Sequence, residues 1–509
     1  MQNKTKTPCN YTNDASLVSF IQASTDAVKR SVKSRLDESI YVTDYVPDQA
    51  TVTDWQPALQ SAIDEAASSG HPVYMPPGIL HLSSPLLIVN PENGFCLYGA
   101  GKGVTILKRN GDFSIPVSFS GCSHMYIGDF SIDGSFDTIP ENASHGLSMN
   151  KCSDFFLERV GVYNYRNTGI IHITPNDNVL RERVVLMSCD TDGMDVANNG
   201  IALSTVRMSG MINCNALRVG KVGSPCYALQ LKNVSDRNFI IGGTAEGAAA
   251  GIAMGQEINH TAVTNSIVSN VRVLNCTQSM LLGYAENNVF GHLLLDQSGR
   301  DGIAQGLRAI SMNECYFNTI TATIKNVSAS SHAVRLTGNS SDNVIEIPMF
   351  IDTAGIVAPF FRAQGSATRN SCRVSCKTGS YPATSSDHKQ ESDTDGNLFY
   401  YQDRPRIGPT LTIISNSIPS PPLDADFLRI KTEDAATTDN LTNIGAGVGG
   451  QRIIVGTANS NHDVTVISGV GNIRLSGAVN FTLNQTRDRL CLMFDDLTNE
   501  WCEFGRSDN

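Results

Sequence analysis

The run Asp190-Thr191-Asp192-Gly193-Met194-Asp195 puts three carboxylates around one glycine. Two acids at short range are what hydrolysis of a glycosidic bond needs: one protonated to assist the leaving group, one ionised to activate water or attack. Clustering raises the proton affinity of some of them, as an acid catalyst requires. Glu158, in FFLERV, is a third candidate acid, and Tyr163, Tyr165, His145 and Asp190 are candidates for lining a sugar groove. Each also has a plainer reading. The acids would serve in a solvated Asp-Gly turn, the aromatics as incidental surface, and Glu158 in a salt-bridged ladder, because Glu182 occurs in the similar RERVV. Further outward candidates are Glu246, Glu257, Asp296 and Asp301.

Such a turn needs elements that hold it, and the chain supplies them by repetition. VSFSGCSHMYIGDFSI, LSMNKCSDFFLERVGV, LQLKNVSDRNFIIGG and ISMNECYFNTITATI share one plan: alternating strand, polar turn, alternating strand. They recur every 20 to 30 residues to about residue 350, the mark of stacked coils whose apolar faces are buried by their neighbours. ERVGVYNYRNTGI from Glu158 aligns on ERVVLMSCDTDGM from Glu182 with a shift of 24. On that alignment Gly146, Gly169 and Gly193 share one position, and the acids beside Gly193 are special to one coil. The fold class is therefore all-β, a right-handed parallel β-helix. Its expected parts are a flexible N-terminus (1–14), neck and capping helices (15–70), the β-helix (71–365), a polar linker (366–408) and a C-terminal β-sandwich (409–509). Asp54 is placed to cap the second helix and Gly70 to end it.

Composition excludes several functions. A net charge of −11 without a basic run argues against nucleic acid, and no apolar run reaches membrane-spanning length. The thirteen cysteines are odd in number and scattered, so they read as small buried hydrophobes in a chain folded in a reducing cytoplasm. Gly99-Ala100-Gly101-Lys102-Gly103 imitates a phosphate loop, but the strand-like VTILKR follows it where a helix is needed. No metal-ligand spacing or cofactor motif is present, and the chemistry is expected to need neither.

ESIYVTDYVPDQATVTDWQPALQSAIDEA, VYMPPGILHLSSPLLI and LYGAGKGVTIL resemble the opening coils of phage tailspike and pectate-lyase-like β-helix proteins, and GQRIIVGTANSNHDVTVISG resembles a C-terminal sandwich of tail fibres. FFLERV followed by TDGMD is similar to the endorhamnosidase tailspikes of Salmonella phages, which maps Glu158, Asp192 and Asp195 onto their catalytic trio. The resemblance implies a homotrimer on the phage virion, made in the host cytoplasm and joined through its N-terminus to tail or baseplate adaptor proteins. Its expected partner is a bacterial surface polysaccharide, O-antigen or capsule, which it cleaves. Elimination by a lyase base among His145, Arg166 and His172, or adhesion without cleavage, are the competing readings.

Overall fold

In the computed structural model the described residues are 19–20, 30–138, 145–174, 179–220, 226–255, 262–296, 308–325, 332–351, 361–374, 377–378, 389–390, 397–401, 407–422 and 425–507. They fall into two compact units, with the chain passing from the first to the second between residues 373 and 399. The first is a stack of about 12 coils. A full coil contributes three strands, all paired in parallel with the coils before and after.

One coil shows why the chain folds this way. Ser153–Tyr163 runs along the first sheet, bends at Arg159 (φ 51°) and continues along the second. After a further corner, Thr168–Ile173 lies in the third, 12-stranded sheet. The bend recurs on seven successive coils in the left-handed region: Asp129, Arg159, Ser188, Asn213, Gly242, Asn270 and His292. Strand alternation then sends every second side chain inward. In the third sheet Leu147, Ile170, Ile201, Leu229, Ile252 and Met280 stack in register and are wholly buried. Each such side chain contributes about 1.5–3 kcal/mol by leaving water. In the second sheet Val162, Thr191 and Ala216 form the inward column. Asp190 and Asp192, on either side of Thr191, therefore point outward.

Another corner is held by buried amides. Asn238, Asn288, Asn318, Asn343, Asn370 and Asn397 each accept from the backbone N–H of a residue in the preceding coil and donate to a backbone carbonyl. Cys122, Cys152, Cys189, Cys214, Cys276 and Cys315 are buried free thiols whose sulfurs face backbone carbonyls, as their scatter implied.

Gln56–Ser69 is the capping helix. The Asp54 carboxylate accepts from the Gln56 N–H at 3.1 Å, and Gly70 ends the helix at φ 76°. Its buried face, Ala58, Leu59, Ala62, Ile63 and Ala66, packs on the first strands of the stack. Part of the helix expected over the residues before it lies outside the described residues; among the described ones Val32–Leu36 is α-helical and Ser19–Phe20 pairs antiparallel with Arg30–Ser31. The Ser31 hydroxyl accepts from the Ser34 N–H at 3.0 Å, at the start of that helix.

The coil stack also exceeds the expected 71–365 at both ends. It begins at Ile40–Tyr41 and continues through Phe361–Ala363, Ser371–Val374 and Lys389–Gln390. The polar composition that suggested a linker hides inward-facing Cys372 and Val374, both buried.

In the second unit a six-stranded sheet and sheets of three and two strands share one core, including Leu428, Leu441, Ile444, Val466, Leu492 and Trp501. Ile407–Thr412, Phe427–Lys431 and Arg452–Thr457 pair in parallel, while Arg489–Asp495 pairs antiparallel with both Arg452–Thr457 and Glu500–Ser507, and Asp463–Val466 with Phe481–Leu483.

Candidate functional site

The register replaces the 24-residue alignment. Glu158 stacks on Met187, Gly161 on Asp190 and Tyr163 on Asp192, a shift of 29. The two Glu-Arg-Val motifs lie at different corners of their coils. Gly146 does stack with Gly169, because Leu147 pairs with Ile170, but the next level is Gly200 and not Gly193.

Two outward columns on the second sheet result. One holds Ser131, Gly161, Asp190, Asn215, Thr244 and Arg272; the other holds Lys108, Asp133, Tyr163, Asp192, Leu217, Glu246, Leu274, Asp296 and Lys325. Acids thus recur on every second coil, where direct stacking of like charges would be costly. The acids beside Gly193 are not peculiar to one coil, as the sequence alignment had them. Asp133 and Lys102 were missed in the sequence; the register, 29 residues back from Asp192 to Tyr163 and 30 more to Asp133, would have found the first.

Asp190 and Asp192 lie two residues apart on one strand, about 6.6 Å between Cα atoms. Asp190 is ion-paired with Lys102 and accepts from the Asn215 side chain at 2.8 Å. Lys102 belongs to the glycine loop noted in the sequence. That loop lies over this face: the Gly103 N–H donates to the Ser131 hydroxyl at 3.0 Å, and the Lys102 chain crosses above Gly161, where a Cβ would meet it. Asp192 is bridged by Arg218 through two guanidinium nitrogens and accepts from the Met194 N–H at 3.1 Å. Asp133 is buried and satisfied by Lys108, Asn164 and the Ser135 N–H.

Met194 and Asp195 are both exposed and both left-handed, φ 50° and 67°. Adjacent non-glycine residues in that region store strain, and the Asp195 N–H is tied to the Arg218 carbonyl at 2.8 Å. Asp195 therefore stands past the corner that follows Asp192. Tyr163 is outward and half-buried between Asp133 and Asp192; burial and then Asp133 raise its phenol above the usual range.

Other candidates are placed elsewhere. Glu158 sits on the first sheet, across the corner from the aspartates. It pairs with Arg159, whose guanidinium also takes Asp129 in two bonds at 2.7 and 2.8 Å. Glu182 and Arg183 repeat the device with Asp154 and Arg207. Tyr165 is wholly buried, so it cannot line a groove. Asn164 (φ 57°) turns the chain between it and the outward Tyr163. His145 opens the third sheet, not the face of the aspartates, and burial with Lys232 nearby lowers it to about 4. His172 is a core residue. Its ring nitrogens face the Ser204 and Cys152 carbonyls at 3.1 and 3.0 Å, and burial lowers it to about 4, so it is no surface base. Glu257 and Asp301 lie outside the described residues. Among the described residues no group of three or more His, Cys, Asp or Glu is placed to hold a metal ion, and no helix is long and apolar enough to cross a membrane.

A family model, rhamnogalacturonase A/epimerase, pectate lyase-like, matches residues 39–221. No curated protein sequence matches the chain. Among solved structures, the Dettilon tailspike protein (gp208) is 14% identical with a TM-score of 0.51, covering 73% of this chain and 70% of that one. The A-module of the Azotobacter vinelandii mannuronan C-5 epimerase AlgE4 is 15% identical with a TM-score of 0.44, covering 69% and 99%. The enzymatically active domain of bacteriophage CBA120 tailspike protein 2 is 12% identical with a TM-score of 0.46, covering 66% and 50%. The family match and the Dettilon likeness agree with the strand register in one fold, a right-handed parallel β-helix.

Proposed function

We propose that this chain is a phage tailspike-type protein that binds a bacterial surface polysaccharide and hydrolyses it on the outer face of the second sheet. The observation that carries the reading is the pair Asp190 and Asp192, outward on one strand beside Tyr163. Their Cα atoms lie about 6.6 Å apart on one strand, and on this reading a water sits between the two carboxyls, as an inverting hydrolase requires. Asp192, held by Arg218, is the base that activates that water. Asp190 is the proton donor. A sugar entering over Gly161 displaces Lys102 and takes its place beside Asp190. Tyr163 offers an apolar surface for the sugar ring. The pectate-lyase-like family match and the tailspike fold likeness support a polysaccharide as substrate.

The test is product analysis. Polysaccharides from a strain panel are digested and the fragments weighed by mass spectrometry. Fragments carrying one added water are expected. Fragments lighter by a water point to elimination, and intact polymer with retained binding points to an adhesin.

The same reading includes a homotrimer joined to tail adaptors through its N-terminus. Its support is the outer face of the first sheet. Cys96, Tyr126, Phe156, Val185, Phe239, Ile267, Val289 and Val344 follow one another on successive coils, with only Gly210 and Thr319 between them. Tyr41, Tyr74, Tyr98, Tyr126 and Phe156 stack with ring centroids 5.2–5.4 Å apart. Ile267 and Val289 are about half exposed, 51% and 49%. At about 4.8 Å per coil this apolar stripe runs roughly 50 Å. With a width of about 15 Å it offers roughly 750 Å², close to what each partner gives a standard interface. Copies of this chain are its occupant: identical coil spacing lets the stripes of three protomers align along one axis. Light scattering is expected to give three times the chain mass of 54.8 kDa, and Ile267→Asp with Val289→Asp to give monomers. A dilute parent protein already at 54.8 kDa contradicts the trimer.

A further inference from the structure

The apolar stripe on the first sheet is broken at Gly210 and Thr319, and the chain answers both breaks in the same way. Two residues before the stripe, successive coils from His124 to Arg369 turn through a left-handed residue. Polar residues hold most of these corners, among them Asp154, Arg183, Asn265 and Asn287. Asparagine suits that backbone conformation, and a bulky side chain does not. Met208 and Phe317 are nevertheless left-handed, φ 50° and 55°, with 39% and 55% of their surface exposed. They stand on the coils of Gly210 and Thr319, so the edge carries an apolar side chain where the stripe lacks one. At Gly210 a Cβ would meet the Phe239 carbonyl at 2.0 Å and the Phe239 ring at 2.6 Å, so that low place cannot be filled from its own strand. Thr319 is small and exposed.

A stripe that repeats about every 4.8 Å has a register problem. Two such stripes bury nearly the same area when shifted by one coil, and a uniform pairing surface slips. We infer that Met208 and Phe317 are register pins of the interface between copies of this chain, each seated over the low place of the same level in the next protomer. This rests on the reading of the chain as a trimer and adds which residues set its axial alignment. Threefold symmetry about an axis parallel to the stack puts equal levels at equal height and brings the edge of one protomer against the face of the next. Met208 then meets the Phe239 ring that leans over Gly210 of the next protomer, a contact that suits a thioether. Phe317 lies over Thr319 in the same way. The pins are four coils apart, about 19 Å. A slip of one coil sets Met208 against Val185 or Phe239 and Phe317 against Val289 or Val344, and leaves both low places empty. The matched heights of pins and low places also identify the occupant, because they fit a body with the same coil spacing.

Photocrosslinking of the assembled full-length protein is the test. Phe317 is replaced by p-benzoylphenylalanine, the protein is irradiated, and the tryptic peptides are weighed. The expected product is the peptide 309–325 joined to a second copy of itself, which only two chains can give. A link from it to the peptide 208–218 would set the chains antiparallel and overturn the pins. Met208→Asn with Phe317→Asn places at both corners the residue found at Asn265 and Asn287, so circular dichroism is expected to be unchanged. Exchange of chains between differently tagged trimers of this double variant is expected to quicken about tenfold or more, the scale of a buried apolar side chain. Exchange at the parental rate, or the absence of the self-joined peptide, overturns the pins; the trimer stands if light scattering still gives three chains. A monomeric parent protein overturns both.

Discussion

Asp192→Asn is expected to lower turnover by about 10²–10⁴-fold, the usual worth of a positioned acid or base. The amide keeps the length of the side chain and an oxygen for the Met194 N–H, but it cannot deprotonate water. Asp190→Asn is expected to fall as far, because no other group on that strand can deliver the proton. Folding is affected little: the Arg218 pair is partly exposed, and such pairs contribute about 0.2–1 kcal/mol. Glu158→Gln is the control, since that carboxylate lies across the corner in an arginine ladder; near-normal turnover is expected. Initial rates on the polysaccharide that the parent cleaves decide the matter, alongside melting curves for each variant. Well-folded Asp190 and Asp192 variants at parental rates would place the chemistry elsewhere, and an inactive, well-folded Glu158→Gln would restore it to the trio.

The fold was legible because burial repeats. Once alternating strands recur with a period near one coil, stacking is the one arrangement that buries every inward Leu, Ile and Val, and no particular residue needs correct alignment. The site was less legible because it depends on register. Each coil turns several corners that obey the same backbone chemistry, so Glu158-Arg159 and Glu182-Arg183 look equivalent in sequence while occupying different corners. Coil length varies too, from the 23 residues between Leu147 and Ile170 to the 31 between Ile170 and Ile201. Matching identical letters therefore slipped by five residues at the aspartates. Asp190 and Asp192 survived that slip because alternation across Thr191 places them outward whatever the period. Tyr165 did not, because the left-handed Asn164 reverses the parity that alternation assumes.

The asparagine ladder is where substitution is expected to cost the most stability. In Asn318 the side-chain oxygen accepts from both the backbone and side-chain N–H of Asn288, at 3.1 and 3.0 Å. Its amide donates to the Ala285 carbonyl at 2.8 Å and to the Asn343 side-chain oxygen at 2.9 Å. Asn318→Ala leaves the buried Asn288 N–H without its acceptor and opens a cavity, which together cost about 2–4 kcal/mol. Asn339→Ala, an exposed asparagine bonded to Glu314, should cost about 0.5 kcal/mol, as surface sites do. Asn318→Asp separates hydrogen bonding from volume. An ionised carboxylate has no donor to offer Ala285 or Asn343 and sits in a wholly buried site, so its proton affinity rises on folding. The protonated form restores one donor. The variant is therefore expected to be least stable at neutral pH and to gain stability as pH falls toward the ordinary carboxylate range, whereas Asn318→Ala shows no such gain over the parent. Unfolding rates at matched temperature, measured between pH 5 and 8, read out both effects. Equal losses for Asn318→Ala and Asn339→Ala would show that the coils hold by their apolar columns alone.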